Sequence, residues 1–211
     1  MAFFYVTFYN NSKARSKKED KMQEVIWHGR GGQGVVLAAQ ILGEAAYLQG
    51  FKGITSAPTF GPERRGAPLT ASTRISDEPI RTVSQIDRAH IAVVLDESLL
   101  TIVDILGRLK DDGIIIINTS LSPEEIDING NLDVATVDAS GIAREQYLTV
   151  AGTPVVNTPM LGALAKATGL VSLENIEKGL RIKMSGGMAA SNFSAVRAAF
   201  DKTIVKATKE R

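Results

Sequence analysis

Short apolar runs alternate with longer segments of helical character along most of this chain. Glu24–His28 predicts a first strand, and Gln33–Gln49, dense in alanine, valine and leucine, predicts a helix that ends at Gly50. Gly53–Ala57 indicates a second strand. Pro68–Ser76 alternates apolar and polar positions, the pattern of a strand with one buried face.

Continuous apolar runs mark the middle of the chain. Ile91–Leu95 and Ile114–Ile117 are rich in β-branched residues, as strands buried on both faces of a parallel sheet are. Between them, Glu97–Leu109 predicts a helix and Asp111–Gly113 predicts a turn. Val134–Val137 predicts the last strand of the sheet.

The remaining segments complete the predicted architecture. A turn at Asp77–Pro79 followed by Ile80–Val83 would complete a hairpin. The C-terminal part is mostly helix, over Met160–Thr168, Leu173–Met184 and Met188–Lys206. This alternation predicts an α/β fold, a Rossmann-like, doubly wound and mostly parallel sheet with a helical C-terminal part.

Residues 1–21 differ in composition from the rest of the chain. A polar, charged stretch separates the aromatic start from the first strand, and Met22 stands immediately before that strand. One interpretation is a flexible or foreign extension before a single domain over residues 22–211. The other is an additional edge strand, Phe3–Tyr9. We expect the extension, because strand propensity alone is a weak signal.

Charge, cysteine content and hydropathy narrow the function classes. The chain has 24 lysines and arginines against 23 acidic residues, so nothing indicates nucleic acid or membrane as a partner. It has no cysteine, so any iron–sulfur cluster would belong to a partner. His28 and His90 lack metal-ligand spacing, and we expect no metal site. No apolar run approaches the roughly 20 residues that span a bilayer, and we expect a cytoplasmic protein.

A glycine-rich turn is the strongest local motif. Its glycines have the G-x-G-x-x-G spacing between a predicted strand and a predicted helix. Such a turn lets the backbone approach an anion, which the free N–H groups at the helix N-terminus attract. The phosphate-binding residues predicted here are Gly29, Arg30, Gly31, Gly32, Gln33 and Gly34. The alternative is a tight turn that only packs strand against helix.

The second strand argues against a nicotinamide dinucleotide as the ligand. Dinucleotide-binding folds place an acidic residue about 20 residues past the motif, for the ribose hydroxyls. Here no acidic residue occurs until Glu63, which lies in a loop beside Arg64 and Arg65. These arginines would bind phosphate or carboxylate, or pair across a subunit interface. A local ion pair with Glu63 is the alternative.

Polar residues that follow the later strands are weaker candidates. Asp96 and Glu97 have the residue type of catalytic carboxylates, but Asp96 fits a helix cap better. Asn118 either contacts a ligand or caps a turn, and Asn157 indicates a helix start. We find no nucleophile–base pair and no thiamine diphosphate motif, and therefore predict no catalytic residue in this chain.

Four motifs in order carry a family resemblance. The segments HGRGGQG, FGPERRGAP, TRISDEPI and VVLDESLL resemble the gamma subunit of pyruvate and related 2-oxoacid:ferredoxin oxidoreductases. The match is specific over residues 24–100 and looser through IIINTS and NTPMLGALAKATG to the end. The loop resembles the pyruvate or branched-chain type more than the 2-oxoglutarate type.

The resemblance implies a non-autonomous subunit of an oxidoreductase. In that family, thiamine diphosphate lies between alpha and beta subunits, [4Fe-4S] clusters lie on beta and delta subunits, and ferredoxin receives the electrons. The enzyme forms acyl-coenzyme A, and gamma subunits are associated with coenzyme A and with assembly. Three hypotheses follow: a subunit that contacts coenzyme A phosphates, a purely structural subunit, and an autonomous NAD(P)-dependent dehydrogenase.

Overall fold

A mixed sheet flanked by helices organises the chain. The computed structural model describes residues 22–58, 65–81, 84–128 and 130–208. Its strands are β1 Met22–Arg30, β2 Gly53–Pro58, β3 Pro68–Ser76, β4 Ala89–Val94, β5 Leu109–Asn118, β6 Asp133–Val137, β7 Thr149–Val150, β8 Thr153–Pro154 and β9 Ile204–Lys206. Its helices are α1 Val35–Gln49, α2 Ala139–Glu145, α3 Asn157–Thr168, α4 Leu173–Lys183 and α5 Gly186–Lys202.

The order of the strands confirms the predicted fold class. The main sheet runs β2-β3-β1-β4-β5-β6-β9, and its centre, β1-β4-β5-β6, is parallel. β3 runs antiparallel to both β1 and β2, so β2 points in the same direction as β1. β9 adds an antiparallel edge beside β6. The short strands β7 and β8 form a separate hairpin.

Alternate residues of the central strands supply two apolar layers. Ile116 of β5 packs in the larger layer, which the helices cover, while its neighbours Ile115 and Ile117 point to the opposite face. That face is covered by Leu99, in a first 3₁₀ turn, and by Ile105, the residue before a second one. Burial on both faces explains why these strands are continuous apolar runs.

The helix predicted over Glu97–Leu109 is wrong. Two 3₁₀ turns, Glu97–Thr101 and Leu106–Arg108, occupy this segment instead. The carboxylate of Asp104 accepts a hydrogen bond from the N–H of Gly107 at 2.9 Å. A side chain that takes this N–H competes with the helical carbonyl partner, so the helix does not continue.

Other predicted boundaries also change. Residues 111–113 lie inside β5 rather than in a turn, and the predicted final helix ends at Lys202, so that Ile204–Lys206 can pair with β6. The short helix α2 was not predicted. Ile80 and Arg81 lie outside any strand, while residues 82 and 83, like the segment Phe3–Tyr9, lie outside the described residues. No helix in the described ranges is long and apolar enough to cross a membrane.

Helices α3 and α5 cross at Gly162 of α3, which has no side chain to separate them. A Cβ atom at Gly162 would collide with the carbonyl of Val196 and lie 3.1 Å from the N atom of Phe200. These are backbone atoms, which cannot rotate away as the end of a flexible side chain can. The glycine therefore sets the distance between the two helices.

We predict that Gly162→Ala lowers the free energy of unfolding by about 1–3 kcal/mol, because the added methyl group forces the helices apart. Gly187→Ala in α5 is the matched control, since nothing lies within 4 Å of a Cβ atom there. It should raise stability by about 0.5–1 kcal/mol through its higher helix propensity. Urea denaturation measures both changes, and equal effects would contradict the close crossing.

Candidate functional site

The glycine turn connects β1 to α1 at the carboxyl edge of the parallel strands. Gly32 and Gly34 have φ angles of 94° and 76°, a left-handed conformation that favours glycine. A Cβ atom at Gly29 would lie 2.5 Å from Cγ2 of Val35. Among the described residues no side chain caps the start of α1, and its first turn has no acidic residue. The turn therefore presents an uncapped helix N-terminus, which attracts anions.

The described end of the loop before β3, residues 65–67, lies against this turn. The N–H of Gly31 donates to the carbonyl of Ala67 at 2.9 Å, and the N–H of Gly66 donates to the carbonyl of Gly31 at 3.1 Å. Arg65 pairs with Gly31 as an isolated bridge, and it is exposed. Arg64 lies outside the described residues.

Arg30 joins three segments at this edge. Its Nε donates to Oδ2 of Asp96 at 2.8 Å, one terminal nitrogen donates to the carbonyl of Gly66 at 3.0 Å, and the other donates to Oγ of Ser98 at 2.7 Å. Gln33 adds a fourth link, because its Oε1 accepts from the Arg30 N–H at 2.7 Å. We call Arg30, Asp96 and Ser98 the clasp.

The clasp spans the point where the chain changes direction across the sheet. After β1 the chain builds β2 and β3 on one side of it, and then returns to place β4 on the other side. In open α/β sheets, ligands bind outside the carboxyl ends of the strands at such a switch point. Arg30 ends β1 and Asp96 follows β4, so their ion pair lies across this crevice.

The charge state of Asp96 follows from these contacts. Burial acts to raise the pKa of Asp96, but the hydrogen bonds from Ser98 and Arg30 outweigh it and hold the pKa below its ordinary value. Asp96 also caps the first 3₁₀ turn, accepting from the N–H of Ser98 at 3.1 Å. The predicted cap is confirmed, and the pairing with Arg30 is a role that sequence reasoning missed.

Two asparagines hold the elements around the crevice together. Asn118 donates to the carbonyl of Leu95 at 2.9 Å and accepts from the N–H of Ser140 at 3.1 Å, so it links the end of β4 to the first turn of α2, whose cap is Asp138. Asn157, the first residue of α3, is buried and donates to the carbonyl of Gly34 at 3.2 Å. The start of α3 is thereby fixed beside the start of α1.

His28 lies two residues before the end of β1 and is 1% exposed. Neither ring nitrogen has a hydrogen-bond partner in the part of the chain that the structure describes. Burial, and secondarily the charge of Arg108, lowers the pKa of His28 to about 4. This histidine is therefore a neutral core residue at physiological pH. His90 is placed elsewhere, where its Nδ1 accepts from the N–H of Glu24 at 3.0 Å.

We predict that Asp96→Asn lowers the free energy of unfolding by about 1–2 kcal/mol, because it removes a partly buried charge partner of Arg30. Asparagine keeps the capping oxygen, so the change isolates the charge. The control is Asp111→Asn, since Asp111 pairs with Arg88 at 2.6 Å but its side chain is 87% exposed. For Asp111→Asn, the free energy of unfolding should fall by less than about 0.5 kcal/mol. Urea denaturation measures both variants.

We predict that His28→Leu flattens the acid side of the stability curve. The folded pKa of about 4 lies below the ordinary 6.5, so the unfolded chain binds the proton first as the pH falls. In the wild type, the free energy of unfolding therefore carries no penalty from His28 above pH 6.5. It falls by about 3 kcal/mol as the pH falls from 6.5 to 4. Subtracting the two unfolding curves measures this loss, and parallel curves would refute it.

Comparison with known proteins places this arrangement in a family. The chain is 49% identical over 189 residues to the pyruvate/ketoisovalerate oxidoreductases common subunit gamma of Thermococcus kodakarensis, covering 87% of this chain and 98% of the relative. It is 45% identical over 181 residues to the pyruvate synthase subunit PorC of Methanothermobacter marburgensis, covering 86% and 97%.

A solved structure shares the fold. The pyruvate oxidoreductase subunit PORC of Thermotoga maritima is 35% identical and superposes with a TM-score of 0.72, over 88% of this chain and 99% of that one. A family model described as pyruvate ferredoxin/flavodoxin oxidoreductase matches residues 24–202. The resemblance drawn from the four motifs is confirmed, and this chain belongs to the pyruvate ferredoxin/flavodoxin oxidoreductase family.

Proposed function

We propose that this chain is the gamma subunit of a cytoplasmic 2-oxoacid:ferredoxin oxidoreductase that acts on pyruvate and forms acyl-coenzyme A. Two relatives that it covers almost completely are named as a gamma subunit and as a pyruvate synthase subunit. The name of the first relative joins pyruvate and ketoisovalerate enzymes through one common subunit. A shared subunit fits a division of labour in which the other subunits select the oxoacid.

The redox chemistry belongs to the partners in this proposal. The chain has no cysteine to ligate an iron–sulfur cluster. Alpha, beta and delta subunits would carry thiamine diphosphate and the [4Fe-4S] clusters and would pass electrons to ferredoxin. The contribution of this chain is to complete the assembly and to hold coenzyme A by its phosphate groups.

The uncapped start of α1 beside the exposed Arg65 is the observation that carries the coenzyme A proposal. The N–H groups of Gly31 and Gln33 are bonded to the carbonyls of Ala67 and Arg30. Those of Gly32, Gly34 and the first turn of α1 would face a phosphate, with Arg64 and Arg65 as charged partners. A guanidinium has five N–H groups, and those of Arg30 make three hydrogen bonds, to Asp96, Ser98 and the carbonyl of Gly66. Among the described residues the other two have no partner, so Arg30 would both fix the turn and donate to a phosphate oxygen.

One observation favours the structural-subunit alternative. The contacts of Arg30 with Asp96, Ser98 and Gly66 would stabilise the fold even if no ligand bound there. The dehydrogenase alternative has less support, because the described end of β2, residues 57 and 58, is alanine and proline where a ribose-binding carboxylate would stand.

The experiment measures two half-reactions of the assembled enzyme separately: decarboxylation of pyruvate, and transfer of the acyl group to coenzyme A. Gly31→Val would obstruct the approach of a phosphate to the backbone, and Arg65→Ala would remove one charge. Each should raise the apparent KM for coenzyme A by about tenfold, as expected for a lost charge-assisted contact. Decarboxylation of pyruvate without coenzyme A should be unchanged. Arg181→Ala, on the exposed face of α4, is the control and should leave both unchanged.

Each other outcome selects an alternative. If both half-reactions fall together with loss of assembly, the chain is a structural subunit without a ligand of its own. If neither changes in correctly assembled enzyme, the glycine turn is a packing device. Tight binding of NAD or NADP to the purified chain, measured by titration calorimetry, would favour the dehydrogenase.

A further inference from the structure

A tyrosine occupies the position at the end of α2 that favours glycine. The N–H of Tyr147 donates to the carbonyl of Arg144 at 3.2 Å, and the N–H of Leu148 donates to the carbonyl of Ala143 at 2.8 Å. This pair of bonds is the Schellman motif, whose residue in the left-handed conformation is usually glycine. Tyr147 adopts that conformation, with φ of 56°.

Two other helices of this chain have glycine at the left-handed position of their C-terminal end. Helices α1 and α3 end at Gly50 and Gly169, with φ of 106° and 65°. A bulky side chain at such an angle is strained, because its Cβ atom crowds the backbone. The Tyr147 side chain is 91% exposed, so contacts within the described structure do not compensate for that strain. Its presence points to a contact outside this chain.

The residues after Tyr147 form a firmly anchored projection. Leu148 packs against the main core, and its carbonyl accepts from the N–H of Val155 at 2.8 Å. Between them, β7 and β8 pair around a tight turn at Ala151 and Gly152, whose φ angles of 49° and 78° match a two-residue hairpin. Val150 is 69% exposed. We call residues 147–153 the hairpin tip.

The segment that contains the tip has the composition of an interface core. Residues 146–156 include no charged side chain, whereas 22% of the whole chain is charged. Centres of protein interfaces are depleted of charge and enriched in tyrosine. Tyrosine is also a frequent hot-spot residue, since it combines a large apolar ring with a hydroxyl group that hydrogen-bonds at the pocket rim.

We propose that the hairpin tip docks into an apolar pocket on another subunit of the same oxidoreductase, with Tyr147 as the buried anchor and Val150 beside it. This inference rests on the proposed function, because it takes the occupant to be a subunit of that enzyme. A tyrosine and a valine bury far less than the roughly 800 Å² per partner of a stable interface. The tip is therefore one anchor in a wider contact, not a self-sufficient dimer interface of this chain.

The test uses the complex reconstituted from this chain and the other subunits of its enzyme. Tyr147→Gly should weaken association by roughly tenfold or more, as loss of a hot-spot residue does. The isolated variant should melt no lower than wild type, because glycine relieves the backbone strain. A purely structural tyrosine would give the opposite pair of results, a less stable chain that still assembles.

Two further variants make the test specific. Ala151→Gly relieves a positive φ in the same tip without removing an anchor, and association should stay within about twofold of wild type. Val150→Thr keeps the shape but adds a hydroxyl group, and association should weaken. Sedimentation measures association, and calorimetry measures the melting temperature.

The outcomes keep the two proposals apart. If wild type does not assemble with these subunits, the proposed function fails. If wild type and Tyr147→Gly assemble equally well, only the docking proposal fails. If isolated wild type forms a dimer that Tyr147→Gly abolishes, the occupant is a second copy of this chain, and the docking proposal is again wrong.

Discussion

The guanidinium of Arg30 is the interaction on which the geometry of the candidate site depends. It binds Asp96 after β4, Ser98 in the 3₁₀ turn and the carbonyl of Gly66 in the loop before β3. Asp96 and Ser98 belong to one segment and Gly66 to another; both segments are distant in sequence from Arg30, and the sheet topology alone brings them only to the same edge. Their relative positions are set by a charged group with a fixed planar shape, which lysine does not reproduce.

The reversal of β3 makes this convergence feasible. Because β3 runs back along the whole length of β1, the loop that leads into β3 ends beside the start of the glycine turn. In a fold with only parallel strands, β2 would be followed by a crossover rather than by a direct return. The antiparallel edge thus places an arginine-bearing loop against a helix N-terminus, and the parallel centre supplies the crevice between β1 and β4.

Local signals in the sequence were enough for much of this architecture. The continuous runs at β4 and β5 and the glycine spacing predicted the strands, the turn and the helix after it, because each depends on neighbouring residues. The 3₁₀ turns were missed, since the effect of Asp104 on Gly107 competes with good helix periodicity. The clasp was missed because Arg30 and Asp96 meet only through the pairing of β1 with β4. No spacing rule encodes that contact.

Folding and function make different demands on this chain, and the glycines and Tyr147 show both. Gly34 allows the left-handed turn that leaves α1 uncapped, while Tyr147 holds a side chain where glycine would fold more easily. Within the described structure, the first feature leaves backbone N–H groups without an acceptor, and the second leaves a strained aromatic side chain almost fully exposed. Our two proposals give each an external partner, a phosphate for the turn and a subunit for the tyrosine.

Hydrogen–deuterium exchange of the assembled enzyme tests the central claim most directly. Amide N–H groups bound to a phosphate exchange slowly, so adding coenzyme A should protect the backbone of residues 31–36 in this chain. The helix end at Gly50 should be unaffected and serves as the internal reference. Protection confined to other subunits, with residues 31–36 unchanged, would contradict the assignment of the glycine turn as the phosphate site.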